Sequence, residues 1–264
     1  MLSEEMIQEY IKSIPPIPEV VKECIDAINE GDLVKAALIA SEDRALMTFL
    51  HNIVNKPIFG FRTDVKDAKQ IFGVLGLSKA KQIIFSYYVL LLVPKSWEVF
   101  DFNSLQFQDF QARLIQHWEK ILNFLKIEDR ELANSITIIP ASLIVCEMLF
   151  RPINETVRLL LERKNMSYEA ILEKMTGKTL FQIASLIAKD WGFSQKVRTL
   201  IDKLSKDDAT LPQDERMVLE YMRLLLIFEM SRPVMMQSGL SQMFELELPE
   251  DENITERFYS LISE

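Results

Sequence analysis

Apolar residues recur at helical spacing along almost the whole chain. Val20, Val21, Cys24, Ile25 and Ile28 form one such series. This spacing places apolar side chains on one face of a helix, whereas hardly any segment alternates with the period of two that is typical of a strand. Only 7 of the 264 residues are glycine, which disfavours architectures with many tight turns. The pattern therefore predicts an all-α fold.

Helix-breaking residues divide this pattern into two halves. Three prolines in Ile14-Pro-Pro-Ile-Pro-Glu-Val-Val21 favour an extended entry into a first helix, because proline fixes φ and lacks an N–H donor. A second break covers residues 94–105, where the helical pattern stops between two well-patterned segments. We therefore expect a multi-helical bundle of two packed subdomains, residues 1–96 and 97–240, with an acidic C-terminal extension over residues 241–264.

Charge and cysteine content limit the compartment and the partners. The formal net charge is −9, which disfavours non-specific binding to nucleic acid or to an anionic membrane. Cys24 and Cys146 lie in apolar helical contexts and are too few for a disulfide framework, so a reducing compartment is favoured. The longest apolar runs, residues 83–93 and 136–150, are shorter than the ~20 residues of a spanning helix, and no charged leader precedes an apolar segment at the N-terminus. We expect a cytoplasmic protein without nucleic-acid or membrane partners.

Several short motifs follow one another in the order and spacing of a known family. The first half contains Ile14–Val21, Asp43-Arg-Ala-Leu46, Asn55-Lys-Pro-Ile-Phe-Gly60 and Val74-Leu-Gly-Leu77, and the second half contains Gly177-Lys-Thr-Leu180 and Trp191-Gly-Phe-Ser194. Over residues 11–205, and onward toward residue 240, the chain resembles the HDOD family. This family is a helical output module of bacterial signal transduction, related to the HD phosphohydrolases. The resemblance implies an HDOD-like helical bundle.

The resemblance also indicates which positions would hold the metal ligands of an HD-type active site. In such a site a metal-bound hydroxide attacks a phosphoryl group. The family's His-Asp pair corresponds to Pro140 and Ala141. The later histidine corresponds to Leu180, and a terminal His-His pair corresponds to Leu204 and Ser205. The first four residues cannot bind a metal, and serine binds one poorly. The resemblance thus implies a degenerate site, and we expect no enzyme activity, no metal and no cofactor.

The two histidines of the chain do not restore a ligand set. His51 and His117 lie in different halves, and neither has a histidine or a carboxylate three or four residues away on its helix. The sequence also lacks a glycine-rich phosphate loop, a nucleophile elbow and a Cys-x-x-Cys pair. The alternative from the enzyme class is a metal-dependent phosphohydrolase with an atypical site, in which a histidine and acidic residues cluster in space.

Seven side chains are candidates for a surface that binds a ligand or a partner. Four phenylalanines fall between the predicted subdomains, where they would line a docking surface or a pocket, or would instead fill the core. Two of the four lysines that flank the Leu75-Gly-Leu77 helix start are candidates, because backbone N–H groups there can hold a phosphate, although such lysines are commonly just solvated. The asparagine belongs to the Asn55–Gly60 loop, which could equally be a tight turn. The candidates are Phe100, Phe102, Phe107, Phe110, Lys79, Lys81 and Asn55.

The sequence as a whole favours a non-catalytic regulatory module of bacterial signal transduction. Such a module acts by presenting a helical surface to other signalling proteins. No receiver, cyclase or phosphodiesterase signature accompanies it, so the signal is expected from a separate polypeptide or a small ligand. The alternatives are the atypical phosphohydrolase and a sensor of a nucleotide second messenger, with its pocket near residues 100–110.

Overall fold

The computed structural model describes residues 17–61, 64–205, 211–249 and 251–263, together with residues 7, 9, 11, 14 and 15. Within this part of the chain the regular secondary structure is helical and contains no β-strand, which confirms the all-α prediction. The chain divides into two compact units. The N-terminal unit comprises Pro15–Val93 and Phe107–Thr137, and the C-terminal unit comprises Met1–Ile14, Pro94–Gln106 and Ile138–Glu264.

Helices of the N-terminal unit begin where aspartate side chains supply an acceptor to the first turn. Asp32, Asp43, Asp67 and Asp129 each accept a hydrogen bond from a backbone N–H two or three residues later. The α-helices are α1 (Glu19–Asn29), α2 (Leu33–Glu42), α3 (Arg44–Val54), α4 (Ala68–Leu91), α5 (Ser104–Phe124, which enters this unit at Phe107) and α6 (Arg130–Ser135), with a short 3-10 helix at Pro57–Phe59.

The core of the N-terminal unit forms around α4. Helices α1, α2, α3 and α6 all pack against α4, and α1 also packs against α2. Three buried alanines of α2, Ala36, Ala37 and Ala40, allow close approach of the neighbouring helices. Helix α4 is interrupted at Gly76, whose φ of 69° and ψ of 178° lie outside the helical region. Gly76 therefore separates two helical segments within Ala68–Leu91, and the second begins at the predicted helix start, Leu75-Gly-Leu77.

The C-terminal unit contains the remaining helices. These are α7 (Ile138–Phe150), α8 (Asn154–Lys164), α9 (Tyr168–Thr176), α10 (Leu180–Asp190), α11 (Gln195–Asp202), α12 (Gln213–Met230), α13 (Pro233–Gln237) and α14 (Glu252–Ser263), with 3-10 helices at Arg151–Ile153, Lys203–Ser205 and Leu240–Met243. Nearly every residue of α7 is buried, and α7 packs against α10, which packs in turn against α11. Phe258 of α14 is buried and contacts Tyr221 and Phe228 of α12, so the final helix covers the core of this unit.

Among the described residues, one helical stretch, residues 131–164, is long and apolar enough to cross a membrane by length and composition. Its most apolar 18-residue window has a mean hydropathy of 1.7, and 94% of that window is buried inside the protein. Such burial is typical of the core of a soluble domain, because a helix that is apolar on all sides must be covered.

The compact units differ from the predicted subdomains in several places. Both divide the chain near Pro94, but residues 107–137, predicted to lie in subdomain 97–240, pack in the N-terminal unit. The described residues before Pro15 and those of the predicted extension 241–264 belong to the C-terminal unit. Within that unit Gln111 Nε2 donates to the carbonyl oxygen of Ser86 over 3.2 Å, and Trp118 Nε1 donates to that of Leu132 over 3.2 Å. Periodicity shows that a helix has an apolar face, but it does not show which helices cover that face.

Candidate functional site

The positions that the resemblance assigns to metal ligands lie in the C-terminal unit. Pro140 and Ala141 belong to α7, Leu180 begins α10, and Leu204 lies in the 3-10 helix that follows α11. All four side chains are buried. Ser205, the fifth position, is half-buried. Four of these positions therefore contribute to the hydrophobic core of the unit and offer no atom that coordinates a metal.

A buried arginine from α12 meets the chain at Leu204. Arg223 Nε donates to the carbonyl oxygen of Leu204 over 2.9 Å, and Nη2 donates to that of Lys203 over 3.0 Å. Arg223 is buried, with only 8% of its surface exposed. A cation at the last carbonyls of a helix is favourable, because those carbonyls lack helical partners and carry partial negative charge. Arg223 thus places a fixed positive charge at one of the assigned ligand positions.

A cavity of about 470 Å³ opens beside Leu204 and Ser205. Two arginines and four carboxylates line it, so acidic groups outnumber basic ones, and Leu248 and Pro249 complete the wall. A negative lining repels phosphate and favours cationic groups. The charged residues of the lining are Arg216, Arg223, Glu220, Glu245, Glu247 and Asp251.

A buried carboxyl group lies beside Leu180. Glu169 of α9 is only 6% exposed, and its Oε1 accepts a hydrogen bond from the Leu180 N–H over 3.1 Å. Its Oε2 has no hydrogen-bond partner among the described residues. The pKa of Glu169 is raised to about 7, chiefly because the carboxyl group is buried. The hydrogen bond from the Leu180 N–H lowers this pKa, whereas the negative charges of Glu245 and Glu173 raise it further. Sequence analysis missed Glu169, because an acidic residue in the first turn of a helix usually faces solvent.

No ligand set forms around these groups in the part of the chain that the structure describes. No three His, Cys, Asp or Glu side chains there could hold a metal ion together. His51 of α3 is half-buried and His117 of α5 is buried, and both belong to the N-terminal unit. The arrangement around Glu169 thus supplies one buried carboxyl group, without the further ligands that a metal ion needs.

Three of the seven candidate surface residues make polar contacts within the N-terminal unit. Asn55 Nδ2 donates to the carbonyl oxygens of His51 and Val65, and its Oδ1 accepts from the Val65 N–H over 2.8 Å, so this side chain holds the 55–65 loop together. Lys79 pairs with Glu119 over 2.8 Å, and Lys81 donates to Asn29 over 2.8 Å. Each of these three side chains therefore has a polar partner inside its own unit.

The four candidate phenylalanines are all buried and are divided between the units. Phe100 and Phe102 belong to the C-terminal unit, where Phe100 lies 4.9 Å from Tyr168 and Phe102 lies 5.6 Å from Trp97, between ring centroids. Phe107 and Phe110 are fully buried on the part of α5 that belongs to the N-terminal unit. Their burial agrees with the core-filling alternative, because a buried ring presents little surface to a partner.

Solved structures resemble this fold over almost its whole length. An HDOD domain protein of unknown function from Geobacter sulfurreducens is 14% identical, with a TM-score of 0.63 and coverage of 97% of this chain and 93% of the other. A Shewanella amazonensis protein named "Putative phosphohydrolase" is 13% identical, with a TM-score of 0.66 and the same coverages. A Marinobacter aquaeolei protein named "Putative signal transduction protein" is 16% identical, with a TM-score of 0.62 and coverage of 98% and 62%. At these identities the likeness concerns the fold.

The sequence itself identifies the family. The family model described as HDOD domain matches residues 14–206, which is well over half of the chain and includes every position discussed above from Pro140 to Ser205. No curated protein matches significantly. The chain belongs to the HDOD domain family.

Proposed function

We propose that this HDOD protein is a non-catalytic regulatory module of bacterial signal transduction, which binds other signalling proteins in the cytoplasm. The observation that carries this proposal is the contact between Arg223 and Leu204. A metal centre needs ligands where the chain has Pro140, Ala141, Leu180 and Leu204, and it needs an environment that favours a cation. At the last of these positions the buried guanidinium of Arg223 binds the backbone carbonyl oxygens and adds a positive charge, although the cavity beside it has an acidic lining.

The cost of this positive charge to a metal ion is considerable. Taken alone, a guanidinium would repel a divalent ion at about 6 Å by roughly 5 kcal/mol at an effective dielectric constant of about 20, before the neighbouring carboxylates are counted. The carboxylates of the neighbouring cavity would offset part of this repulsion, but no three His, Cys, Asp or Glu side chains among the described residues could hold a metal ion together. The alternative, a phosphohydrolase with an atypical site, would have to bind its metal through Glu169 without the further ligands that a metal ion needs.

Charge and thiol chemistry support the proposed partners and compartment. The net charge of −9 and the acidic lining of the larger cavity disfavour nucleic acid and anionic membranes as partners. Cys24 and Cys146 are both buried free thiols, and burial raises the pKa of each, so neither is a reactive thiolate. This chemistry is compatible with a reducing cytoplasm, where the module would meet a protein partner or a small nucleotide.

Metal content is the first test of this proposal. Untagged protein is exposed to manganese, iron, zinc and magnesium, dialysed against metal-free buffer, and analysed by plasma mass spectrometry and by hydrolysis of bis-p-nitrophenyl phosphate. We expect substoichiometric metal and no hydrolysis, in both the wild type and Glu169→Gln. Near-stoichiometric metal that resists dialysis and is lost in Glu169→Gln would overturn the proposal and establish the phosphohydrolase alternative.

Partner capture tests the binding half of the proposal. Chemical crosslinking in the native cytoplasm, followed by mass spectrometry, should recover specific signalling proteins with crosslinks to this chain. An unrelated acidic protein of similar size and charge is the control for non-specific capture. The absence of any partner above that control would count against a binding module.

A further inference from the structure

A second, smaller groove lies within the C-terminal unit between α10 and α11. Its volume is about 270 Å³. Two cations, two amides and two hydroxyl groups line it, with one carboxylate and one leucine, so its lining is more basic than acidic and rich in hydrogen-bond donors. The lining residues are Lys178, Arg198, Gln182, Gln195, Ser185, Thr199, Asp202 and Leu186.

Hydrogen bonds among the lining residues fix the arginine in the groove. Arg198 Nη2 donates to Gln195 Oε1 over 2.7 Å, and Gln195 Nε2 donates to Thr199 Oγ1 over 3.1 Å. Ser185 Oγ donates to the carbonyl oxygen of Arg198 over 3.2 Å, which joins α10 to α11. A guanidinium has five N–H donors. Gln195 uses one of the four N–H donors on the Nη groups, and the Nε is buried from solvent without a hydrogen-bond partner among the described residues. The groove therefore holds an oriented cation whose Nη groups still have donors.

The surrounding sequence is basic, although the chain as a whole is acidic. Residues 178–203 carry five basic and two acidic side chains, a local excess of three positive charges in a chain of net charge −9. Such a local excess attracts anions to the surface even when the net charge of the protein is negative. The positive side chains are Lys178, Lys189, Lys196, Arg198 and Lys203, and the negative ones are Asp190 and Asp202.

We propose that this groove binds the phosphate or diphosphate group of a small molecule. Arginine matches the geometry of phosphoryl oxygens through two parallel N–H bonds, lysine adds a point charge, and hydroxyl and amide groups donate further hydrogen bonds. The larger cavity has more acidic than basic side chains in its lining, and the smaller groove has more basic than acidic ones, so an anionic ligand would bind preferentially in the smaller groove. Its occupancy would be the input signal of the module, and this regulatory role rests on the proposed function.

Calorimetric titration with pyrophosphate at constant ionic strength tests this site. The variants are Arg198→Gln and Lys178→Gln, with Lys189→Gln as the matched control, because Lys189 is an exposed cation of α10 outside the groove. We expect saturable binding by the wild type, at least about tenfold weaker binding by either groove variant from loss of a charge-assisted contact, and unchanged binding by the control. The melting temperature of each variant without ligand verifies that it folds.

Two outcomes would overturn the assignment: no saturable binding by the wild type, or equal weakening in Lys189→Gln, which would indicate a general charge effect.

Titrations with inorganic phosphate, GMP and guanosine then separate the sources of the phosphate. Tighter binding of GMP than of phosphate assigns the site to a nucleotide, and equal affinity assigns it to the phosphate group alone. Neither result alters metal content or partner capture, so a failure of this site is distinguishable from a failure of the proposed function.

Discussion

The carboxylate of Glu147 accepts a hydrogen bond from the backbone N–H of Phe100, with 3.2 Å between Oε2 and N. The same carboxylate accepts from the N–H groups of Glu98, over 2.7 Å, and Val99, over 3.2 Å. Glu147 is fully buried within the apolar helix α7. Three backbone donors offset the desolvation of its charge, and the contact fixes residues 98–100 against α7.

Glu147→Gln is therefore expected to destabilise the protein. The amide places a donor against backbone donors, so at least one buried N–H loses its acceptor, at a cost of about 3 kcal/mol. Urea denaturation measures this change, and amide hydrogen exchange should accelerate at residues 98–100. Glu98→Gln is the control, because Glu98 pairs with Arg151 over 3.3 Å in a half-exposed ion pair that contributes less than about 1 kcal/mol. Equal losses in the two variants would contradict this role of Glu147.

Two glycines of α4 should respond in opposite directions to alanine. Gly76 has a φ of 69° and a ψ of 178°, a region that is essentially restricted to glycine, so Gly76→Ala should cost about 1–3 kcal/mol. Gly73 has helical geometry, and a Cβ added there meets no atom within 4 Å. Gly73→Ala should leave stability unchanged or raise it by up to about 1 kcal/mol, because alanine favours the helix. Urea midpoints that fall equally in both variants would show that the break at Gly76 is not strained.

Arg223 should be more important for stability than Arg216, although both line the same cavity. Arg223→Met keeps the apolar stem but leaves the carbonyl oxygens of Lys203 and Leu204 without their donors, at a cost of about 2–3 kcal/mol. Arg216 is half-exposed, so Arg216→Met should change the free energy of unfolding by less than about 0.5 kcal/mol. Thermal and urea unfolding of both variants provide the comparison, and a neutral Arg223→Met would contradict this structural role of Arg223.

The sequence predicts the local structure of this protein better than its tertiary packing. Periodicity predicts the helices, since series such as Val21, Cys24 and Ile28 record which face is buried. It does not predict that residues 107–137 pack with the N-terminal unit, because any complementary apolar face could cover that helix. The burial of Glu169 and Arg223 was also unpredictable, because ionisable residues within helical patterns usually face solvent, and only tertiary packing shows otherwise.

Glu169 should make stability depend on pH in the direction opposite to that of an ion-paired carboxylate. Its folded pKa is about 7, above its ordinary value of 4.5, so the folded state keeps a proton that the unfolded state releases between these values. Raising the pH through this window therefore lowers the free energy of unfolding, by about 3 kcal/mol when complete. The charged groups that face Glu169 are Glu245 and Glu173, whose repulsion acts in the same direction, and the Cys146 thiol of α7 lies nearby.

Glu169→Gln isolates this contribution, because the glutamine oxygen can still accept from the Leu180 N–H while the ionisation is removed. We expect the variant to match the wild type at about pH 4 and to be more stable by up to about 3 kcal/mol at about pH 8. Urea denaturation at both values measures the difference, and Glu173→Gln, an exposed carboxylate of the same helix, should show little change. If the difference between wild type and Glu169→Gln does not grow with pH, then Glu169 is ionised in the folded protein. Its carboxylate would in that case be a negative charge beside Leu180, which would favour the phosphohydrolase alternative.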